Sequence, residues 1–405
     1  MNASVLLIAG EVSGDMHAAG LVRAVRARAP YVKFFGIGGE ALRAAGMDTI
    51  YDAREMAVMG LAEVLKRYRF FKKVFEDMVA LAEDTKPDAV VLVDYPGFNL
   101  RFAERMHRMG IKVIYYICPQ VWAWHRSRIA KMAEIVDRLI VIFPFEPQVF
   151  AGTSLKVDFV GHPLVDVARR VLAEPLRSLP WRGTRVALLP GSRRQEIDRI
   201  LPVMAKAAAR LDQTQPDRFW FIVAAPSEEI AQYMEKVLTD VKRKPAHLEI
   251  IPRLTRQVLH QARAAMVASG TATIEAAFMG CPMVVVYKTS PLTYLIGRQL
   301  VKVPHIGMVN IVAGKEICPE YIQFRATPRA LADGVQKLVD DAPDRAQMVE
   351  ELAKVRLALG SGGASKKAAA IVMEELESIP AKPIPTRSLK APDDEIDSID
   401  VELSG

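Results

Sequence analysis

Short β-branched runs alternate with amphipathic helical stretches along most of this chain, and this alternation most constrains its fold. Strands that are separated by helices form parallel βαβ units. The runs fall into two series. The first comprises 5–9, 32–37, 89–93, 112–117 and 138–142, and the second comprises 185–189, 219–224, 248–251, 264–268 and 283–287. The sequence therefore predicts an α/β protein with two Rossmann-like, doubly wound domains.

The stretch Pro175–Gly183 lies between the two series and has the proline and glycine content of a linker. A chain of 405 residues is long enough for two or three domains. Ligands of doubly wound sheets bind at the carboxyl ends of the strands, so we expect the site in a cleft between the domains. The predicted division is a first domain at 1–172, a second at 173–355, a C-terminal helix at 356–378 and a disordered acidic tail at 379–405.

Charge and cysteine content limit the setting in which this chain works. Its net charge is +7, although six acidic residues and no basic ones lie within 391–405. A basic body favours an anionic partner, such as a nucleotide, a nucleic acid or a membrane surface. Three separated cysteines argue against a disulfide scaffold and fit a reducing cytosol. No apolar run reaches the ~18 residues of a membrane span, and the N-terminus lacks signal-peptide features. We therefore expect a cytoplasmic protein.

Two loops of the second half have the composition of an anion-binding turn. Each follows a predicted strand and leads into a helix, whose N-terminal amides and dipole attract phosphate. Glu275 lies one turn inside the second of these helices, where a carboxylate either binds a ribose diol or only stabilises the helix start. Each loop alone is also typical of an ordinary capped turn, but together they predict a nucleotide diphosphate site. The candidate contacts are Gly191, Ser192, Arg193, Ser269, Gly270 and Thr271.

The first half offers carboxylates at two strand ends. Asp94 ends the hydrophobic strand 89–93, where it can act as a general base or merely cap the following turn. The loop 10–15 lacks the Gly-x-Gly-x-x-Gly pattern of dinucleotide sites, and its acids Glu11 and Asp15 suit a neutral, hydroxyl-rich acceptor. The sequence contains no Asp-x-Asp and no histidine pair with metal-ligand spacing, so we predict no metal and no cofactor.

Residues 65–73 interleave five bases with three aromatic residues. This composition is typical of an interfacial helix that binds anionic lipid. It also fits an RNA-binding surface or a solvated helix face with an apolar stripe. Apolar residues at 56–61 favour lipid. The candidate membrane or acyl contacts are Arg67, Arg69, Phe70, Phe71, Lys72 and Lys73.

Several of these stretches together resemble the lipid-A-disaccharide synthase family. The most specific are Gly10-Glu11-Val12-Ser13-Gly14-Asp15 and Trp122-Ala123-Trp124. The similarity runs in order from residue 4 to about residue 378, and the acidic tail lies outside it. One departure is Gly97, where some relatives have a second Asp. The other matching stretches are 56–60, 94–99, 119–121, 144–146, 161–163, 189–193 and 269–275.

The resemblance implies a glycosyltransferase of type B fold, with a C-terminal helix that crosses back to the first domain. It implies transfer of diacylglucosamine from UDP-2,3-diacylglucosamine to 2,3-diacylglucosamine 1-phosphate (lipid X), with inversion, peripherally at the cytoplasmic leaflet of the inner membrane and without nucleic acid. By motif, Asp94 is the candidate base and Glu11 and Asp15 lie on the acceptor side. The candidate UDP contacts are Ser192, Arg193, Glu275 and Asn310.

Two other functions agree with the residues alone. A UDP-sugar 2-epimerase shares the two-domain plan but leaves the basic aromatic segment without a role. A non-catalytic nucleotide-sugar binding protein needs the loops at Arg193 and Glu275 but not Asp94. The sequence does not give the acyl-chain length or the role of the tail. Nor does it give the oligomeric state, for which a homodimer is one option.

Overall fold

A computed structural model of the chain describes residues 3–56, 67–124, 127–300, 303–340 and 343–379. Its strands form two parallel sheets, one in each half of the chain. The first sheet contains β1 (Ser4–Ala9), β2 (Lys33–Gly38), β3 (Asp48–Asp52), β4 (Ala89–Val93), β5 (Lys112–Tyr116), β6 (Arg138–Val141) and β7 (Lys156–Phe159). The second contains β8 (Thr184–Leu189), β9 (Phe219–Ala225), β10 (Leu248–Pro252), β11 (Ala264–Ala268), β12 (Met283–Tyr287) and β13 (Glu320–Ile322).

The strand orders are β3-β2-β1-β4-β5-β6-β7 and β10-β9-β8-β11-β12-β13. All registered pairs are parallel, which confirms the predicted α/β fold with two doubly wound sheets. The ten predicted strands are present, and their ends differ from the prediction by at most one residue. The sequence missed β3, β7 and β13, which are three of the four sheet edges and are only partly buried.

Helices cover both faces of each sheet, as a parallel sheet requires. In the first domain they are α1 (Val12–Arg26), α2 (Glu40–Ala44), α3 (Ala53–Met56), α4 (Tyr68–Thr85), α5 (Pro96–Arg108), α6 (Val121–Trp124), α7 (Ser127–Ile135) and α8 (Glu146–Val149). The following helices are α9 (Leu164–Ala173), α10 (Arg194–Thr214), α11 (Glu228–Thr239), α12 (Thr255–Gln261), α13 (Thr271–Phe278), α14 (Pro291–Leu300), α15 (Met308–Ala313), α16 (Pro328–Val339), α17 (Pro343–Ala358) and α18 (Ala364–Glu377). Among the described residues, no helix has both the length and the apolar composition needed to cross a membrane.

The strand β1 shows how the first core is divided. Val5, Leu7 and Ala9 point to one face of the sheet, and Leu6 and Ile8 point to the other. Both sets are fully buried, so the strand appears in the sequence as a continuous apolar run. Such runs at the sheet centres made the fold predictable.

The last described helix, α18, packs against α1 of the first domain. Its apolar side chains belong to the same core cluster as one face of β1. Glu375 adds ion pairs to Lys112 at 2.8 Å and to Arg138 at 3.1 Å. The helix α18 therefore adds to the first domain instead of extending the second.

The chain passes between the domains at 160–163 and again at 359–363. The two passages touch, because the His162 amide donates to the Leu359 carbonyl at 2.8 Å. Gly161 and Gly360 have φ values of +90° and +102°, which favour glycine. The helix α9 already packs on the second core, so the boundary lies before the predicted linker. The apolar face of α9 packs on the second sheet, but the sequence pattern of an apolar face does not show which of two sheets it contacts.

Candidate active site

The loops that carry Glu11 and Asp94 lie where the strand order of the first sheet reverses. β1 is flanked by β2 on one side and β4 on the other. Glu11 follows β1 and Asp94 follows β4, so both residues lie at the same carboxyl edge. In open α/β sheets this switch point forms the crevice in which ligands bind.

The backbone at the end of β4 is left-handed at two consecutive residues, with φ of +46° at Asp94 and +49° at Tyr95. Such residues need support from their surroundings. The Asn99 side-chain amide donates to the Asp94 carbonyl at 2.8 Å and to the Val93 carbonyl at 3.2 Å, and the Tyr115 hydroxyl also donates to the Asp94 carbonyl. These bonds hold the peptide that carries the Asp94 carboxylate.

The electrostatic setting of Asp94 suits proton transfer. Burial, and secondarily the negative charge of Glu11, raises the pKa of Asp94 to about 6. Burial and Glu11 likewise raise the pKa of the Tyr95 hydroxyl to about 12, against the opposing charge of Arg67. A carboxyl with a pKa near 6 is mostly ionised at neutral pH and is a stronger base than an ordinary aspartate. Asp94 can therefore act as a general base.

A second acid, Glu146, is buried close enough to Asp94 for their charges to interact. One carboxyl oxygen accepts the amides of Ile142 and Phe143 at 3.2 and 3.0 Å, and the other accepts the Trp122 indole N–H at 3.4 Å. Burial is the main cause that raises the pKa of Glu146 to about 8, so this group is neutral at pH 7. Glu146 had no predicted role, although it ends the stretch 144–146 that resembles the family and follows a hydrophobic strand.

The role predicted for Asp15 conflicts with its hydrogen bonds. Its carboxylate is 5% exposed and accepts three backbone amides, from Gly39 at 2.7 Å, Ala41 at 3.0 Å and Leu42 at 3.1 Å. These are orphan amides at the start of α2. Asp15 therefore caps α2 and supports the Glu11 loop, and an acceptor sugar would have to compete with these bonds.

The second loop pair lies at the switch point of the second sheet, where β8 is flanked by β9 and β11. Residues 191–193 follow β8 and residues 269–271 follow β11, so the six predicted diphosphate contacts lie just beyond the ends of two neighbouring strands. The fold thus places both predicted loop pairs at equivalent positions of their sheets.

The loop after β8 requires glycine and exposes an arginine. Gly191 has a φ of +108°, and a Cβ there would collide with the Glu196 carboxylate. Arg193 is the N-cap of α10, with its side chain 60% exposed and its guanidinium 3.7 Å from Glu196. Ser192 is exposed beside it. An anion bound here would share Arg193 with Glu196.

The loop after β11 leaves room for a ligand. The Ser269 hydroxyl donates to the Ile306 carbonyl at 2.7 Å. Gly270 has a φ of +133°, and a Cβ there would have no described atom within 4 Å. Thr271 is exposed at the first turn of α13. The free space and the unpaired amides of a helix start are what a phosphate needs.

Glu275 has a partner that the sequence analysis did not single out. Its carboxylate lies 2.7 Å from the Arg256 guanidinium, and the two side chains are 18% and 35% exposed. Arg256 lies on α12, in the preceding βα unit. The pair holds Glu275 in place beside the second switch point, and no local pattern predicts it.

Asn310, a predicted UDP contact, is fully buried and its amide is saturated. The Nδ2 group donates to the Cys318 carbonyl and to Glu320, both at 2.8 Å, and Oδ1 accepts the amides of Ile317 and Cys318, both at 2.9 Å. An amide side chain makes about four such bonds at most. The Asn310 side chain thus holds the segment before β13, and a UDP contact through it, which stays a prediction, would have to displace one of these bonds.

The carboxyl edge of the first sheet contacts the second domain. Gln120 lies 4.0 Å from the sulfur of Met308, and the His162 ring lies 6.2 Å from that of Phe278. Burial and the charge of Arg256 lower the pKa of His17, on α1, to about 4. Arg256 thus lies near α1, the helix that follows Glu11, and also pairs with Glu275.

The basic aromatic segment is described only from Arg67 onward, and Leu65 and Lys66 lie outside the described residues. Phe70 and Phe71 are half-buried against the first core, with the Arg67 guanidinium 4.5 Å from the Phe70 ring. The bases follow on the outer face of α4. Lys72 and Lys73 pair with Glu76 and Asp77 at 3.6 and 2.6 Å, and Arg69 is exposed.

Within the described part of the chain, no three His, Cys, Asp or Glu side chains are grouped so that they could hold a metal ion. The residues at the two switch points supply carboxylates, backbone amides and an arginine. Such a site can remove a proton on one side and bind an anion on the other.

Comparisons with known proteins separate the family from the fold. The chain is similar to the UDP-GlcNAc 2-epimerase of Neisseria meningitidis bound to UDP-GlcNAc, with a TM-score of 0.57, 13% identity and coverage of 92% and 99% of the two chains. It is equally similar to the calicheamicin glycosyltransferase CalG4, with a TM-score of 0.58, 16% identity and coverage of 94% and 100%. At these identities the likeness shows only the two-domain fold, which both enzyme classes share.

The sequence comparisons are more specific. A lipid-A-disaccharide synthase of Syntrophus aciditrophicus is 43% identical over 374 residues, covering 91% of this chain and 97% of that protein. The family model of lipid-A-disaccharide synthetase matches residues 5–373, from β1 into α18. The match therefore includes both switch points and the helix that returns to the first domain, and the chain belongs to the lipid-A-disaccharide synthase family of glycosyltransferases.

Proposed function

We propose that this enzyme transfers 2,3-diacylglucosamine from its UDP conjugate to the 6-hydroxyl of 2,3-diacylglucosamine 1-phosphate, giving lipid A disaccharide 1-phosphate and UDP with inversion. The observation that carries the proposal is the half-buried Asp94 at the first switch point, in a chain that belongs to this family. The alternative epimerase shares the fold but not the family match.

Activation of the acceptor is assigned to the first domain. Asp94 accepts the proton of the acceptor 6-hydroxyl, while the oxygen of that hydroxyl attacks the anomeric carbon of the donor. Glu11 keeps the pKa of Asp94 raised, and Tyr115 and Asn99 hold the Asp94 peptide. Single-step attack from the face opposite the leaving group inverts the anomeric centre.

The leaving group is assigned to the second domain. As the bond from the anomeric carbon to the phosphate oxygen breaks, negative charge grows on the UDP diphosphate. Amides at 191–193 and 269–271 and the Arg193 guanidinium stabilise that charge. In this proposal Glu275 accepts hydrogen bonds from the ribose hydroxyls, which is supported by the ion pair that holds its carboxylate at Arg256.

Release of UDP tests the reaction. The protein is incubated with UDP-2,3-diacylglucosamine, with and without 2,3-diacylglucosamine 1-phosphate. A transferase releases UDP only when the acceptor is present, whereas an epimerase converts the donor alone and a binding protein does neither. Release that ignores the acceptor would contradict the proposal.

Both lipids carry two acyl chains, so we also propose that the enzyme works at the cytoplasmic leaflet of the inner membrane. Tyr68 and Arg69 are exposed at the start of α4, and Tyr68 is 58% exposed. Each base near an anionic surface adds about 1 kcal/mol of attraction, less where it already pairs with an acid. Lys72 and Lys73 are paired, so the support from α4 rests mainly on its first turn.

Replacing Arg67, Arg69, Lys72 and Lys73 by Gln should weaken binding to anionic liposomes and slow turnover on membrane-embedded substrate. Turnover on detergent-dispersed short-chain analogues should change little. Unchanged liposome binding would contradict the membrane proposal but not the transfer reaction. The homodimer stays a prediction, which sedimentation at several protein concentrations can test.

A further inference from the structure

A pocket of about 370 Å³ opens beside the first two turns of α1. Its apolar lining comes from three helices: Val12 and Met16 on α1, Ala41 and Ala44 on α2, and Ala53 on α3. The volume lies in the range of about 300–1,000 Å³ that is typical of small-molecule sites. Three of the five apolar lining residues are alanines, whose small side chains leave the space open.

The polar side chains of this pocket are already paired with each other or with the backbone. Asp15, at the base, accepts three amides from the start of α2. Arg54 and Glu40 form an ion pair of 3.0 Å and belong to the lining. A ligand without polar groups would leave these bonds intact, whereas a sugar that used the Asp15 carboxylate would have to displace its backbone amides.

Two large apolar side chains stand exposed at this pocket. Val12 is 55% exposed and Met16 is 56% exposed, although both lie on the helix that begins directly after Glu11. Their exposed surface would gain free energy by contact with an apolar ligand.

The pocket lies next to the proposed acceptor site, since Val12 in its lining directly follows Glu11. The helix α3, which contributes Ala53, ends at Met56, whose carbonyl accepts the Tyr95 hydroxyl at 3.0 Å. Tyr95 in turn packs against Gly10, because a Cβ on Gly10 would collide with its ring. The pocket, the Glu11 loop and the Asp94 loop are thus joined by direct contacts.

We propose that this pocket holds one acyl chain of the lipid acceptor while its sugar lies at Glu11 and Asp94. The inference rests on the proposed function, which supplies an acceptor with acyl chains. The apolar lining, the exposed Val12 and Met16 side chains and the nearness of the Asp94 loop favour a hydrocarbon that is attached to a ligand at that loop.

Binding of acceptor analogues with graded acyl length tests the proposal without requiring turnover. In the unmodified protein each methylene that enters the pocket should tighten binding by about fourfold, until the pocket is full. Ala44→Phe places a ring in the pocket, so its affinity should stop rising at a shorter chain. Ala27→Phe, at the other end of α1, is the matched control and should behave as the unmodified protein. Affinities are measured by calorimetry without detergent, with analogues whose acyl chains are short enough for them to stay monomeric in water.

Met16→Ser gives a second variant, which removes apolar wall instead of filling the space and should lower the gain per methylene. Thermal unfolding shows whether each variant is folded. Equal dependence on chain length in the unmodified protein and in a folded Ala44→Phe or Met16→Ser protein would overturn the pocket proposal. Failure of the proposed function is a separate result, since it shows as UDP release without the acceptor requirement.

Discussion

The two switch points occupy equivalent positions in their sheets but differ in chemistry. At the first, between β1 and β4, Glu11 and the half-buried Asp94 follow the strands, and the charge of Glu11 contributes to the raised pKa of Asp94. At the second, between β8 and β11, glycines with positive φ, hydroxyl residues and the exposed Arg193 follow the strands. The same topology thus provides a basic carboxylate on one side and an anion site on the other. The fold determines where the site lies, and a few loop residues determine what it binds.

The largest effect should come from removing the base at the first switch point. Asp94→Asn keeps the size of the side chain but cannot accept a proton, so turnover should fall by about 10²–10⁴-fold while UDP affinity is unchanged. Initial rates of UDP release and calorimetry with UDP measure the two quantities. Near-normal turnover would remove Asp94 from the mechanism, and loss of UDP affinity would contradict the division of labour between the domains.

Removing the cation at the second switch point should have the opposite pattern. Arg193→Ala loses a charge-assisted contact, which corresponds to about 10–150-fold weaker UDP binding. Arg194→Ala is the matched control, since the neighbouring guanidinium pairs with Glu229 at 2.9 Å and is as exposed. Calorimetry should show weaker UDP binding only for Arg193→Ala. Equal losses of affinity in the two variants would mean that the overall positive charge, and not a direct contact with Arg193, attracts UDP.

A smaller effect is expected where the second switch point acts through a positioning residue. Arg256→Gln frees Glu275 from its 2.7 Å partner, so the contact with the ribose should weaken by about 2–12-fold. The loss should be specific to the ribose, so the variant should discriminate less between UDP and 2′-deoxy-UDP. Arg193→Ala should keep that discrimination. Unaltered discrimination in Arg256→Gln would limit Arg256 to a structural role.

The smallest effect is a displacement on the pH axis. Asp94 must be ionised to accept a proton, so kcat/KM should rise as the pH passes its pKa of about 6. Glu11→Gln removes a neighbouring negative charge, which lowers that pKa and moves the acid limb of the profile to lower pH. Burial is the larger cause, so the displacement should stay below about one pH unit. A limb that does not move would mean that Glu11 and Asp94 are electrostatically independent.

The sheet centres were predictable from sequence and the edges were not. β4 and β11 are fully buried runs of apolar residues, so their bounds could be predicted to the residue. β3 and β13 are short and half-exposed, and each carries acidic residues, so neither gives a clear period or an apolar run. Their pairing depends on the neighbouring strand, which local sequence does not reveal.

The site divides in a similar way. The positions of Asp94 and of the loop at Arg193 follow from strand ends, which the sequence marks. The bonding of Asp15 and Asn310 does not, because their partners are backbone groups from other segments. The same holds for Arg256, whose partner lies in the next βα unit. A polar residue in a motif can therefore stabilise a loop instead of contacting a ligand, and only tertiary hydrogen bonds tell the two apart.

The paired passages at 160–163 and 359–363 have a consequence for how the two halves of the site meet. Since the His162 amide donates to the Leu359 carbonyl, the two covalent connections between the domains lie side by side. Two adjacent connections hold the domains together at one place and permit rotation of one domain about it. Each connection contains a glycine with positive φ, at 161 and at 360. A rotation there would change the separation of Asp94 from Arg193, and so the distance between base and leaving group, without breaking either sheet.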